Sequence, residues 1–382
     1  VAFAFLAAPN RPEHALFSEG DYARQRAFFA AHPHLAPTPL RRLRALSRSL
    51  GVADIRVKDE TARFGLNAFK TVGATFAIAA LRDEGALRAA ETLVCASEGN
   101  HGRAVARAAR DAGCRARVYL SASVAAPRIA AIESEGAIVV RVDGTYDEAL
   151  RVMAGEAREH GWRVISDTAL AGEPIDVPRL IMLGYTRLMD EVDAQWQDAA
   201  QPDTVLVPGG VGGLLAAVAD WVRTRPTGAR PRVICVEPAS SACLQVSARE
   251  GRPTTLRGPF ETVMGGLRCG EVSRAGFDAV RGGVTGYVAI EDRWALDAMR
   301  QLASGNGGDP IVQSGASGAA ALGGLLATMR DPALTDVKGA LGLGPGSRVL
   351  AFVTEGVTDP ELFAAVVTSP KNEHPAEKKL EP

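Results

Sequence analysis

Two hydrophobic rhythms alternate through the middle of the chain. Short runs rich in β-branched residues, TLVCAS (92–97), ARVYLS (116–121), AIVVRV (137–142) and RVISD (163–167), read as strands. Longer alanine-rich stretches with helical periodicity lie between them: HGRAVARAARDAG, PRIAAIESEG and TYDEALRVMAGEAREHG, each ending on a glycine. That βαβαβαβ order with short connections predicts a parallel sheet covered on both faces. A second series starts at DTVLVP (203–208), runs into GGVGGLLAAVADWVR, and continues with RVICVEP (232–238) and RVLAFVTEG (348–356). No solenoid repeat is visible. Because the first series is nested inside the second, the pattern predicts two α/β domains of parallel sheet that meet at a cleft. The large domain is expected over 1–74 and 186–368 and the small one over 75–185.

Composition narrows the class. The 382 residues are 47% apolar and 23% charged, as in soluble globular proteins, and the formal net charge of -1 gives no electrostatic reason to expect nucleic acid or an anionic membrane. The five cysteines (Cys95, Cys114, Cys235, Cys243, Cys269) are odd in number and contain no Cys-x-x-Cys pair, which predicts reduced thiols, a cytoplasmic location and no metal centre. The opening VAFAFLAAPNRPEH lacks a basic segment and is too short to span a bilayer, so no signal peptide is expected. Residues 310–329 are uncharged and of membrane length but contain Gln313, Ser314, Ser317 and glycines, and predict a loop leading into a buried helix. The tail SPKNEHPAEKKLEP (369–382) reads as disordered.

In such folds the chemistry collects in loops that leave strands. In RFGLNAFKTVGATFAIAAL (63–81), Lys70 stands where an apolar helical run begins, with no acidic residue on its C-terminal side for several positions. A snorkelling lysine is one reading; a desolvated lysine serving as a nucleophilic amine is the other. SEGNHGRA (97–104) brackets Asn100 and His101 with glycines at a helix start, which is either a plain N-cap turn or a ligand-facing one. PGGVGG places Gly209, Gly210, Val211, Gly212 and Gly213 between a strand and a helix, where backbone N–H groups can converge on an anion. No lysine follows as in a nucleoside-triphosphate loop, and the dinucleotide glycine order is absent, although Glu237 ends the next strand. Thr354 closes the last buried strand with a neutral hydroxyl, which by itself is often only backbone-bonded. Together a lysine, an amide-bearing turn, an anion cradle without nucleotide features and a strand-end hydroxyl are the parts of a pyridoxal 5′-phosphate site.

The ordered set NAFK, SEGNHG, GGVGG and VTEG resembles the fold-type II pyridoxal phosphate enzymes, which include threonine dehydratase and tryptophan synthase β. KDETARFGLNAFKTVGA (58–74), ISDTA, LIMLGY, MGGLRCGE, GNGGDP, SGASGA and VTEGVTD further resemble the diaminopropionate ammonia-lyase family over roughly residues 15 to 368. The resemblance implies that Lys70 forms the Schiff base, Asn100 meets the ring hydroxyl, residues 209–213 hold the phosphate and Thr354 meets the pyridine nitrogen. It implies acid–base roles for Glu98 and Asp167, one for each substrate stereoisomer, and substrate contacts at Ser97, His101, Leu170 and Ala316. The implied reaction is β-elimination of ammonia from 2,3-diaminopropionate or a close, including N-substituted, analogue by a homodimer. Hydroxyamino-acid dehydration, β-replacement and a ligand-binding relative without turnover stay open. Three positions depart from the family pattern: Glu98 replaces an aspartate, Ala316 an acid and Leu170 an aromatic.

Overall fold

The computed structural model describes residues 3–6, 15–169, 172, 174–198 and 200–368. Leu170, residues 7–14 of the opening stretch and the 369–382 tail therefore lie outside the described residues. The strands are β1 (Phe3–Leu6), β2 (Leu40–Arg42), β3 (Asp54–Asp59), β4 (Thr92–Ser97), β5 (Arg115–Ser121), β6 (Ile138–Val142), β7 (Arg163–Val164), β8 (Thr204–Pro208), β9 (Arg232–Pro238), β10 (Gly286–Ile290) and β11 (Arg348–Val353). They build a four-stranded sheet in the order β6-β5-β4-β7 and a seven-stranded sheet in the order β1-β10-β9-β8-β11-β3-β2. The smaller sheet is parallel throughout. The larger one is parallel at its centre, but β1 and β2 pair antiparallel at its two edges. An edge strand needs no covered crossover on its outer side, so the all-parallel expectation fails there.

The valine, isoleucine and leucine runs at β4, β8, β9 and β11 are buried at every position or nearly so, as strands covered on both faces require. The helix Ala316–Arg330 is buried along its first thirteen residues against the large sheet, which matches the loop and buried helix expected from residues 310–329. RVISD is corrected. Only Arg163 and Val164 pair with β4; after one further bond, Ile165 N to Val94 O at 2.8 Å, the chain leaves the sheet edge and carries Asp167 toward the cleft.

Strand β3 was absent from the hydrophobic pattern because DIRVKD alternates apolar and charged residues. All six are nevertheless buried, since the charges pair inside the fold. Arg56 meets Asp54 at 2.9 Å, and the Lys58 ammonium meets Glu191 at 2.6 Å. Glu191 also takes Arg63 at 2.7 Å, and Arg63 reaches back to Glu60 at 2.7 Å with none of its side chain exposed. This cluster locks the turn after β3 to the helix Asp176–Gln195, which packs along the helix Lys70–Asp83.

Burial favours the neutral acid at Glu191, but the Arg63 hydrogen bonds and the Arg63 and Lys58 charges outweigh it and hold the carboxyl down at about 2. A depressed carboxyl stabilises the fold above its unfolded value, here 4.5, and that contribution is lost as pH falls toward 2. Glu191→Ala takes the carboxylate partner from the buried Lys58 and one of two from Arg63, which keeps Glu60, and should cost about 3 kcal/mol in a urea titration at neutral pH. The deficit relative to wild type should shrink as the titration is repeated from pH 4.5 downward. A loss below about 1 kcal/mol would show that the cations find other partners or water.

Candidate active site

The cleft forms where strand ends from the two sheets face each other. Its lining includes Lys70 from the start of the helix Lys70–Asp83, residues 97–101 after β4, Asp167 after β7, the glycine turn after β8, and Thr354 and Glu355 after β11.

The backbone before Lys70 is tied to the end of β11. Phe69 N donates to Thr354 O at 3.1 Å, Gly356 N donates to Asn67 O at 2.8 Å, and Ala68 bridges Glu355. To make that join Asn67 takes a left-handed φ of 59°, a conformation asparagine accepts more readily than most residues. Lys70 is thereby anchored from the last strand, and its Nζ donates to Asp167 Oδ2 at 2.5 Å. Burial works against both charges. The pair wins: Asp167 raises the Lys70 ammonium above its ordinary range, and His101 and Lys70 hold the Asp167 carboxyl well below its own.

His101 Nε2 donates to Ile165 O at 2.8 Å, and its Nδ1 stands 3.9 Å from Asp167 Oδ2. Ser97 is buried and shapes its turn: its hydroxyl accepts from Gly99 N at 2.9 Å and Gly102 N at 2.8 Å. Gly102 has no room for a side chain, because a Cβ would lie 2.5 Å from Val118 Cγ1. Glu98 is held on two sides, accepting from Ser121 Oγ at 2.9 Å and from the Arg268 guanidinium at 3.0 Å.

The glycine turn presents backbone rather than side chains. Gly210 and Gly212 have left-handed φ values of 61° and 96°, and the helix Gly213–Arg223 begins immediately after them. Gly213 and Leu214, in the first turn of that helix, line the cleft, and their N–H groups have no acceptor within the helix. Gly209 packs on the buried Glu237, where a Cβ would come within 2.6 Å of Cγ. Glu237 itself accepts from Leu244 N at 2.9 Å and Gln245 N at 2.8 Å, so it caps a helix and does not face a ribose pocket. Burial pushes its carboxyl up to about 8 against the pull of those two N–H groups.

The structure thus brings Lys70, Ser97, Glu98, Asn100, His101, Asp167, Gly209, Gly210, Val211, Gly213 and Thr354 to one cleft. Gly212 and Ala316 are not in its lining; Ala316 is buried in the large-sheet core, and its neighbour Ser317 faces the cleft instead. Sequence reasoning missed Arg128, Tyr146, Arg268, Cys269, Ser317 and Glu355 as lining residues. Arg268, Cys269, Ser317 and Glu355 sat inside quoted family segments but were not singled out there. Arg128 had no signal, because it reaches Glu98 O at 3.0 Å and Thr358 Oγ1 at 3.2 Å from a helix distant in sequence.

A family model described as pyridoxal-phosphate dependent enzyme matches residues 31–354. The chain belongs to that family. It is 35% identical over 373 residues to diaminopropionate ammonia-lyase of Escherichia coli strain K12, spanning 94% of each chain. It is 33% identical to the same enzyme of Salmonella typhimurium strain LT2, spanning 89% of this chain and 90% of that one. The crystal structure of the Escherichia coli enzyme with an aminoacrylate-PLP azomethine reaction intermediate superposes with a TM-score of 0.88 at 34% identity, covering 96% of this chain and 97% of that one. The fold is therefore the fold-type II arrangement expected from the sequence, and the cofactor is pyridoxal phosphate.

The pyridoxal-phosphate family's group fits what this cleft offers. A turn with a single side chain, Val211, among four glycines and a helix start with free N–H groups suit a phosphate, and a lysine in the same cleft suits an aldehyde. Gly209→Ala should shift the turn off Glu237 and weaken pyridoxal phosphate binding roughly tenfold, at a stability cost of about 1–3 kcal/mol. Fluorescence titration of the apoprotein checks this; unchanged affinity would place the phosphate elsewhere.

Proposed function

We propose that the chain is a carbon–nitrogen lyase that removes ammonia from 2,3-diaminopropionate or a close analogue. The overall change consumes one water and yields pyruvate and two ammonia molecules from plain diaminopropionate. The observation that carries this reading is the Lys70–Asp167 contact at 2.5 Å on the floor of a cleft whose opposite wall is a glycine turn. The likeness to the ammonia-lyases along nearly the whole chain supports the substrate class.

When bound, pyridoxal phosphate supplies an aldehyde that captures amines and a ring that accepts electrons from the substrate's Cα. Lys70 would have to be neutral to add to that aldehyde, and Asp167, hydrogen-bonded to its ammonium, would hold the side chain in place until that proton leaves. Without the Lys70 ammonium beside it, burial would raise the proton affinity of the Asp167 carboxylate, which would suit it to accept a proton from Cα on its face. Glu98 stands in the wall formed by the turn after β4, with Arg268 and Ser121 fixing both carboxylate oxygens. It is the second acid–base group, serving the opposite stereoisomer or protonating the departing amine. An amine leaves poorly unless protonated, so such a donor is required. Asn100 is the partner of the ring hydroxyl. Thr354, a neutral hydroxyl, is the partner of the pyridine nitrogen; it keeps the ring a weak electron sink and favours prompt loss of the β-group. Ser97 and His101 border the substrate.

The working form is read as a cytoplasmic homodimer whose small domain spans 75–185 and whose large domain spans 1–74 and 186–368. Free cysteines and the separate four-stranded sheet support that reading.

Lys70→Ala should abolish ammonia and pyruvate release, which a lactate dehydrogenase-coupled assay follows. Asp167→Asn and Glu98→Gln should each lower kcat about 10²–10⁴-fold, with the larger effect on opposite stereoisomers of diaminopropionate. Equal losses on both isomers would remove the division of labour. Turnover of D- or L-serine well above diaminopropionate would favour a dehydratase instead.

A further inference from the structure

Glu355 follows the strand-end threonine, lines the cleft and is 2% exposed, yet the proposed reaction gives it no task. Its backbone is committed to the fold: its carbonyl accepts from Gly315 N at 3.3 Å and Ser314 Oγ at 3.1 Å, and it bridges Ala68. Its side chain is not committed in that way. Oε2 accepts from Asn100 Nδ2 at 2.5 Å, and Oε1 is buried with no hydrogen-bond partner. A buried carboxylate with one idle oxygen carries a desolvation cost that one hydrogen bond does not offset. Gly315 leaves room for it, since a Cβ there would lie 2.8 Å from Oε1.

An asparagine amide can face a ligand with its oxygen or its nitrogen, and rotating by half a turn exchanges them. A carboxylate only accepts, so beside Asn100 it selects the nitrogen. The second N–H of the same nitrogen then points away from Glu355, while Oδ1 is turned to the other side.

We infer that Glu355 is a positioning residue that locks the Asn100 amide with its nitrogen toward the cofactor's ring oxygen, so that the asparagine donates to that oxygen and does not accept from it. The inference rests on the reading of Asn100 as the ring-hydroxyl partner. Donation favours the ionised ring oxygen, and an amide free to flip would present the wrong atom for part of the time. Glu355 touches neither substrate nor cofactor in this role; it acts through Asn100.

The test is a double-mutant cycle read by pyridoxal phosphate affinity of the apoprotein and by the visible absorption spectrum of the loaded protein. Glu355→Ala should weaken cofactor binding roughly tenfold and redistribute the visible and near-ultraviolet bands. Glu355→Gln keeps an acceptor for Asn100 and should recover most of that loss, which a role of the charge alone would not allow. In an Asn100→Ala background both Glu355 substitutions should change affinity by less than about twofold, because the residue through which they act is gone. Equal effects of Glu355→Ala in both backgrounds, or no effect in the Asn100-containing protein, would overturn the inference. If Glu355→Ala does not fold, the Glu355→Gln pair decides, with a loss of about threefold expected only where Asn100 is present. If Asn100→Ala alone leaves affinity and spectrum unchanged, the ring-hydroxyl reading fails, and the inference with it.

Discussion

A lysine ammonium and an aspartate carboxylate, each taken out of bulk water, hold one another charged at the base of this cleft. Either charge alone would be expensive to bury. The contact also spans the molecule: Lys70 is fastened to the end of β11 in the large sheet, and Asp167 leaves the edge of the small one. The elements around it are arranged to keep those two ends in register. The buried Arg63–Glu191–Lys58 cluster fixes the turn before Lys70 from behind, and the His101–Ile165 bond fixes the segment before Asp167.

The same economy of side chains explains the opposite wall. A phosphate can be held by backbone N–H groups if nothing projects in front of them, and the glycines after β8 meet that demand. Behind the turn the packing is dense: Gly209 lies on Glu237, and Glu237 is spent on capping the next helix. A wall built in this way positions an anion without adding a mobile cation. Among the described residues no other lysine lines the cleft, and Lys58 is consumed by Glu191.

Much of this was legible in the sequence, and the exceptions have separate causes. The strands written in valine, isoleucine and leucine were found with their boundaries nearly right, because burial on both faces leaves an unbroken apolar run. DIRVKD was missed because its charges are satisfied by partners far along the chain, such as Glu191, and no local pattern reveals that. RVISD read as a full strand because Ile165 is apolar and buried, although the segment is only leaving an edge. At the site, loops with unusual local chemistry (the lysine turn, SEGNHG and PGGVGG) declared themselves. Arg128, Arg268 and Glu355 did not, since each acts through a contact made across the cleft.

The central claim is that Lys70 is the amine that bonds to the cofactor, and its chemistry allows a direct check. The other lysines, Lys58, Lys338, Lys371, Lys378 and Lys379, fall in proteolytic peptides separate from that of Lys70. Borohydride reduction of the pyridoxal phosphate-loaded protein fixes the cofactor to its lysine, and peptide mapping then identifies the residue. The pyridoxyl label should appear on Lys70 alone; a label on any other lysine, or none on Lys70 in a protein that retains its bound cofactor, would contradict the account.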